Sequence, residues 1–260
     1  MAKVNQLKFS PEVFMYPLLF VMVLWIIYWF ETRFNINLNI FGVYPRTVEG
    51  LRGVAFSPFI HGSLTHLFNN SVPLFVLTAA LFYFYREIRW KILLYGLLFT
   101  GLATWLIGRP SLHIGASGVV YMLVAFLFFK GIFSKQFQLT ALALTVIFLY
   151  GGLFWYVFPV DPKISWEGHL SGFFIGFIFS FFFKGVPIER KKYEWEREDF
   201  NPENDPFLKQ FDENGNFIEL PKMPEKHLDE KLNDNSTSTE NNKMVKIVYS
   251  FKKSINQKPE

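Results

Sequence analysis

One stretch near the start, PEVFMYPLLFVMVLWIIYWF from Pro11 to Phe30, decides the class of chain this is. A helix crosses the hydrocarbon core of a bilayer with roughly 20 mostly apolar residues, and this run is that long and that apolar. It is too long for the apolar part of a secretory signal, and no small-residue cleavage site follows it. It reads as a retained membrane span, so lipid rather than water is the solvent for the folded part of the chain.

Five further runs of the same kind follow, at about Leu64–Tyr85, Ile92–Ile107, Gly115–Phe133, Phe137–Phe158 and Glu167–Phe183. The third and sixth spans are short. Helices satisfy their own backbone polar groups in lipid, so the expected fold is an all-α, multi-pass integral membrane protein with six transmembrane helices. Lysine and arginine placement orients it. With the N-terminus inside, the inner side carries Lys3, Lys8, Arg86, Arg89, Lys91, Lys130, Lys135, Lys184, Arg190, Lys191 and Lys192, against Arg33, Arg46, Arg52, Arg109 and Lys163 outside. Both termini are therefore expected in the cytoplasm.

The first outer loop, about Glu31 to Ile60, is too apolar for a free loop and too broken by glycine and proline for a span. A segment partly embedded in the outer leaflet fits it best. The chain divides into a short cytoplasmic N-terminus (1–8), a membrane domain (9–186) and a polar tail (187–260) with stretches such as LNDNSTSTENNK. That tail is expected to be cytoplasmic and mostly disordered. Cysteine is absent, which removes disulfides, thiolate metal sites and a cysteine nucleophile together. The net charge of +4 is modest and its basic residues form no single stripe, which argues against a nucleic-acid partner.

Polar side chains inside spans are costly and mark function. Three groups stand out. In HGSLTHLFNN, His66 and Asn70 share a helix face and His61 lies just before them. In HIGASGVVYML, Ser117 sits between Gly115 and Gly118. The glycines permit close backbone approach and suit a helix start whose N–H groups can hold an anion. The pattern is not the nucleophile elbow of a soluble hydrolase, since Val119 stands where that motif needs glycine. In EGHLSGFFIGF, His169 opens the last span, and Gly168, Gly172 and Gly176 form a ridge for tight helix packing.

All three groups fall near the outer ends of their spans. A serine attacks a carbonyl when a histidine takes its proton, and the resulting oxyanion needs N–H donors. Ser117, His169 and the His66–Asn70 pair supply these parts. Tyr121, one turn after Ser117, is placed to stack on the imidazole. No aspartate is placed to orient the histidine: Asp161 lies in the preceding loop and Glu167 points off the face. A Ser–His dyad is the natural inference. A metal site at His61, His66 and His169 is disfavoured, because neither an intramembrane carboxylate nor an H-E-x-x-H motif accompanies them.

HGSLTHLFNN in span two, GASGVVY opening span four and GHLSGFFIG in span six, in this order and spacing, resemble the rhomboid family of intramembrane serine proteases. The match covers about Phe9 to Lys184. The resemblance implies Ser117 as nucleophile and His169 as general base, with His66, Asn70 and the backbone N–H groups of Ser117 and Ala116 as oxyanion donors. It implies that Tyr121 packs on the histidine, that His61 anchors a loop, and that Gly172 lets span six approach span four. Leu51-Arg52 stands where the family carries Trp-Arg, which leaves Arg52 to brace the first loop. The implied architecture is six helices around a water-filled cavity opening outward. The implied substrates are single-span membrane proteins that enter past span five and are cut near the outer surface, with no cofactor. Two rivals are a non-catalytic rhomboid-like protein that binds membrane clients, which would lack the serine or histidine, and a small transporter, which would show paired broken helices in two halves. The cysteine-free composition and Asn/Lys-rich tail fit a bacterial inner membrane.

Overall fold

The computed structural model describes residues 9–162, 164–184, 193–212 and 214–218. The chain divides into two units, Met1–Lys191 and Lys192–Glu260. The first is all-helical among its described residues: α1 (Glu12–Phe34), α2 (Gly53–Phe56), α3 (Leu64–Phe84), α4 (Arg89–Ile107), α5 (Ser117–Phe133), α6 (Phe137–Tyr150) and α7 (Trp166–Phe182). Four stretches are long and apolar enough to cross a membrane: α1, α3, α4, and α6 together with the 3-10 segment that continues it to Val157. α5 and α7 are apolar but shorter, at 17 residues each.

Local chemistry sets the helix boundaries and moves several from their expected places. α1 runs past Phe30 to Phe34 and stops where Asn35 takes a left-handed conformation, φ 51°. α4 starts at Arg89 rather than Ile92 because the guanidinium is held: it pairs with Glu12 at the start of α1 and lies 4.8 Å over the Phe82 ring. α5 begins at Ser117, since Gly115 has φ +104° and cannot join a right-handed helix. Serines cap α3 and α7: Ser63 accepts the His66 N–H and Ser165 accepts the Gly168 N–H.

α5 is the hub. Residues 119–127 are buried on every side, as expected of a helix that is apolar all round. α3, α4, α6 and α7 pack against it. The outer faces of α1, α4 and α6 expose large apolar side chains such as Ile26, Trp29, Leu94 and Phe148, a surface suited to lipid tails. The closest approach is between α5 and α7. A Cβ at Gly172 would overlap the Gly118 carbonyl oxygen and lie 3.2 Å from the Met122 nitrogen. A Cβ at Gly176 would overlap the Met122 carbonyl oxygen. The expected glycine ridge is therefore where the two backbones touch.

The segment between α1 and α3 is a string of short helical turns, Leu38–Phe41, Glu49–Arg52, α2 and Ser57–Phe59. It is fastened to the end of α4: the Trp105 Nε1–H donates to the Thr47 carbonyl at 2.8 Å, and Arg46 donates to the carbonyls of Leu106 and Gly108 at 3.1 and 2.9 Å. Arg52 braces the segment from within, donating to the Ile40 carbonyl at 2.9 Å and lying 4.9 Å from the Phe41 ring. Leu51 beside it is exposed. At the end of this segment His61 is buried, and its Nε2 accepts the Ala116 N–H at 3.4 Å. The loop is thus pinned to the start of α5.

In the second unit the described residues form 3-10 turns at Glu194–Glu196, Pro202–Asn204 and Leu208–Gln210 and a bridge between Phe211 and Phe217. Asp212 closes that bridge: it accepts from the Asn216 side-chain amide and from the backbone N–H groups of Asn216 and Asn214, and these bonds, the side-chain amide foremost, hold its carboxyl below the usual value. Of the tail 187–260, expected to be mostly disordered, residues 187–192, 213 and 219–260 lie outside the described residues, as does the assignment of residues 1–8.

Two expected outcomes follow from this packing. Gly172→Ala should lower the thermal unfolding midpoint in detergent, with a loss of about 1–3 kcal/mol from forced overpacking. Burial, reinforced by neighbouring His66, pushes the His61 imidazole down to about 4 from 6.5. The unfolded chain therefore takes up that proton first as pH falls. Stability should drop between about 6.5 and 4 and level off below. His113, lowered by burial in its loop, acts in the same direction. Unfolding midpoints measured across this range for wild type and His61→Asn should show a shallower slope in the variant.

Candidate active site

Ser117 is the first residue of α5 and His169 stands in the first turn of α7. Because the two helices meet backbone to backbone, their side chains meet as well: Ser117 Oγ lies 2.9 Å from His169 Nε2. The other ring nitrogen, Nδ1, lies 2.9 Å from the Tyr156 carbonyl oxygen. A carbonyl only accepts, so Nδ1 carries the hydrogen and Nε2 keeps its lone pair for the serine hydroxyl. This is the tautomer a general base needs.

The ring is also clamped in orientation. Tyr121 stacks on it with centroids 4.1 Å apart and planes 9° apart. The Tyr121 hydroxyl donates to the Leu153 carbonyl at 2.7 Å. Both contacts lead to the same 3-10 segment, Gly151–Val157. That segment thus places the imidazole twice, once through a carbonyl and once through the stacked tyrosine. His169 and Tyr121 are both buried.

The expected oxyanion donors stand against Gly115, two residues before the serine. Asn70 is buried, and its Nδ2 has no hydrogen-bond partner among the described residues. A buried amide donor left unpaired costs about 1–3 kcal/mol, a cost that a developing negative charge would offset. Gly115 brings the chain against this group: a Cβ there would lie 2.7 Å from His66 Nε2 and 3.4 Å from Asn70 Nδ2. With φ +104° as well, the position admits glycine on both conformational and steric grounds. The N–H groups of Val119 and Val120 bond the Ala116 carbonyl at 3.0 Å. Those of Ser117 and Gly118, at the helix start, have no intrahelical acceptor. The Ala116 N–H is engaged with His61. Gly118 faces α4 and α7, where a Cβ would meet Thr100 Cγ2 at 2.9 Å and the Gly168 carbonyl oxygen at 3.2 Å.

The structure therefore gathers Ser117, His169, Tyr121, His66, Asn70 and Gly115 at one place, with Gly172 and Gly118 behind them. Arg52 lies in the loop and braces it. His61 stands edge-on to His66 with ring centroids 5.0 Å apart. Among the described residues no three His, Cys, Asp or Glu side chains form a metal-binding group.

Sequence reasoning missed two contributors, the Tyr156 carbonyl and His113, and read Glu167 as off the histidine's face. The Tyr156 carbonyl carries no side-chain signal at all. Glu167 does not orient His169; it is buried, with Oε1 3.6 Å from Arg109 Nε and accepting the Arg109 N–H at 3.3 Å. His113, inside the same HIGASG stretch as the serine, is buried against Ser165. Its only signal was its place in that stretch.

Comparison with known proteins agrees with the geometry. A family profile described as the Rhomboid domain matches residues 49–185, which hold the whole site. An uncharacterized protein of Mycobacterium tuberculosis is 34% identical over 177 residues, covering 62% of this chain and 71% of its own. A Mycobacterium bovis protein matches to the same extent. One from Mycobacterium leprae is 34% identical over 158 residues, covering 56% of this chain and 61% of its own. With its apolar helices and this domain, the chain is an integral membrane protein, and it belongs to the rhomboid family.

Proposed function

We propose that the protein is an intramembrane serine endopeptidase that cleaves single-span membrane proteins with a Ser117–His169 dyad. The observation that carries this is the 2.9 Å contact between Ser117 Oγ and His169 Nε2, with the opposite ring nitrogen held on a carbonyl. A packing role for the two residues would require neither the tautomer nor the stacked tyrosine. A client-binding protein without chemistry would have no use for the unpaired Asn70 amide beside them.

In this proposal the outer ends of six spans enclose the site, with α5 and α7 as the fourth and sixth spans and both termini in the cytoplasm. The mycobacterial relatives and the lysine and arginine distribution favour a bacterial inner membrane. A substrate helix enters from the lipid and unwinds, because helical carbonyls are already bonded and shielded from attack. His169 takes the Ser117 proton as the hydroxyl attacks the peptide carbonyl. Asn70, His66 and the Ser117 N–H hold the tetrahedral oxyanion. His169 then protonates the leaving amine, and water attacks the acyl-enzyme with His169 again as base. No step calls for a metal or cofactor.

A fluorophosphonate probe applied to detergent-purified protein tests the proposal. Wild type should label, while Ser117→Ala and His169→Ala should not. Cleavage of a fluorescent single-span substrate should fall by on the order of thousands-fold or more in Ser117→Ala. Labelling undiminished in Ser117→Ala, or a folded wild type that never labels, overturns the dyad. Asn70→Ala should lower kcat by about 100–1,000-fold with little change in KM, as for other side-chain oxyanion donors.

A further inference from the structure

The segment that carries Ser117 and the segment that carries His169 are joined by two histidine–serine pairs. His113 and Ser165 each lie four residues before a member of the dyad, and they form a second histidine–serine pair, His113 Nδ1 to Ser165 Oγ at 2.5 Å. The two links run in opposite senses. The first segment contributes the serine to one and the histidine to the other.

The surroundings fix the protons of this second pair. His113 Nε2 lies 3.1 Å from the Arg109 carbonyl oxygen. That oxygen can only accept, so Nε2 carries the hydrogen and Nδ1 accepts. The Ser165 hydroxyl therefore donates to Nδ1, while its oxygen accepts the Gly168 N–H at 3.3 Å. The Ser165 carbonyl in turn accepts the His169 N–H at 3.2 Å. A chain of hydrogen bonds thus runs from His113 through Ser165 into the turn that holds His169. At its other end His113 is fixed by the first loop, exchanging both backbone hydrogen bonds with Val43 at 2.9 Å. Two charged groups face this corner, Arg109 and buried Glu167, paired with each other. Arg109 further donates to the carbonyls of Pro162 and Ile164 at 2.8 Å, tying down the approach to Ser165.

This arrangement exceeds what a helix cap needs. A cap asks for an oxygen that accepts an N–H at the helix start, and Ser165 supplies that without His113. The added histidine fixes where the cap stands relative to the segment that leads into α5. We propose that His113 and Ser165 are positioning residues for the dyad, a second hydrogen bond that sets the separation of Ser117 and His169. The proposal rests on the serine protease reading above. Its physical basis is the narrow reach of proton transfer: the base must sit about 2.6–3.2 Å from the hydroxyl, and a misplacement of 1 Å costs on the order of 100-fold.

The test uses full-length protein in detergent: wild type, His113→Leu, Ser165→Gly, the double variant, and the conservative changes His113→Asn and Ser165→Thr. Glycine is a serviceable helix cap, within a few tenths of a kcal/mol of serine, so Ser165→Gly removes the link while leaving the helix start in place. Asparagine keeps an acceptor oxygen near the Nδ1 position. Three readouts are taken: the fluorophosphonate labelling rate of Ser117, kcat and KM on the single-span substrate, and the unfolding midpoint. Each disruptive single variant should lose about 10–100-fold in labelling rate and kcat with KM unchanged. The double variant should lose no more than the worse single, because both remove one interaction. His113→Asn and Ser165→Thr should recover most of the rate. Single variants that label as fast as wild type overturn the proposal, and so do losses that multiply in the double variant or follow the fraction unfolded. A wild type that neither labels nor cleaves overturns the protease reading and this proposal with it. A wild type that labels, with variants equally fast, overturns this proposal alone.

Discussion

Backbone contact between α5 and α7 is the constraint on which the rest of the structure depends. Lipid gives no hydrophobic drive for one helix to seek another, so helices in a membrane hold together by close packing and hydrogen bonds. Gly172 and Gly176 provide that closeness against Gly118 and Met122. Both helices begin at the same end of the molecule, and each carries its chemical group in its first turn. The distance between the two axes therefore becomes the distance between a hydroxyl and an imidazole. A side chain at the contact would part the helices, and Ser117 Oγ and His169 Nε2 with them.

The same environment explains what holds the histidine. A carboxylate in that position would have to be buried as a charge, and the desolvation of an ion in a low-dielectric interior costs several kcal/mol unless it is fully compensated. A backbone carbonyl accepts the same Nδ1–H without bringing a net charge. The 3-10 segment after α6 delivers that carbonyl at Tyr156, and it receives the Tyr121 hydroxyl at Leu153. Among the described residues the one buried carboxylate is Glu167, matched by Arg109 in the loop rather than by His169.

Much of this was legible in the sequence because membrane helices announce themselves by length and polarity. The runs that became α1, α3, α4, α5, α6 and α7 were visible, as were Ser117, His169, His66 and Asn70, since polar groups near apolar spans are conspicuous. Boundaries were less legible. Arg89 joins α4 because Glu12, far away in sequence, neutralises it. The start of α5 shifts from Gly115 to Ser117 through a backbone angle that no periodicity reveals. Tyr156 was invisible because its contribution is a carbonyl, which every residue has.

The sequence by itself determined that the chain is a bundle of apolar helices with a few polar side chains near their ends, because hydropathy and spacing are local properties. Tertiary structure decided which nitrogen of His169 holds the hydrogen, that the Asn70 amide nitrogen meets no acceptor among the described residues, and that His113 meets Ser165. Each of these depends on atoms brought together from distant segments, and on the angstrom-scale approach that glycine permits between α5 and α7. Hydrogen-bond chemistry is short-ranged and directional, so it is set only when the backbones have reached their final separation.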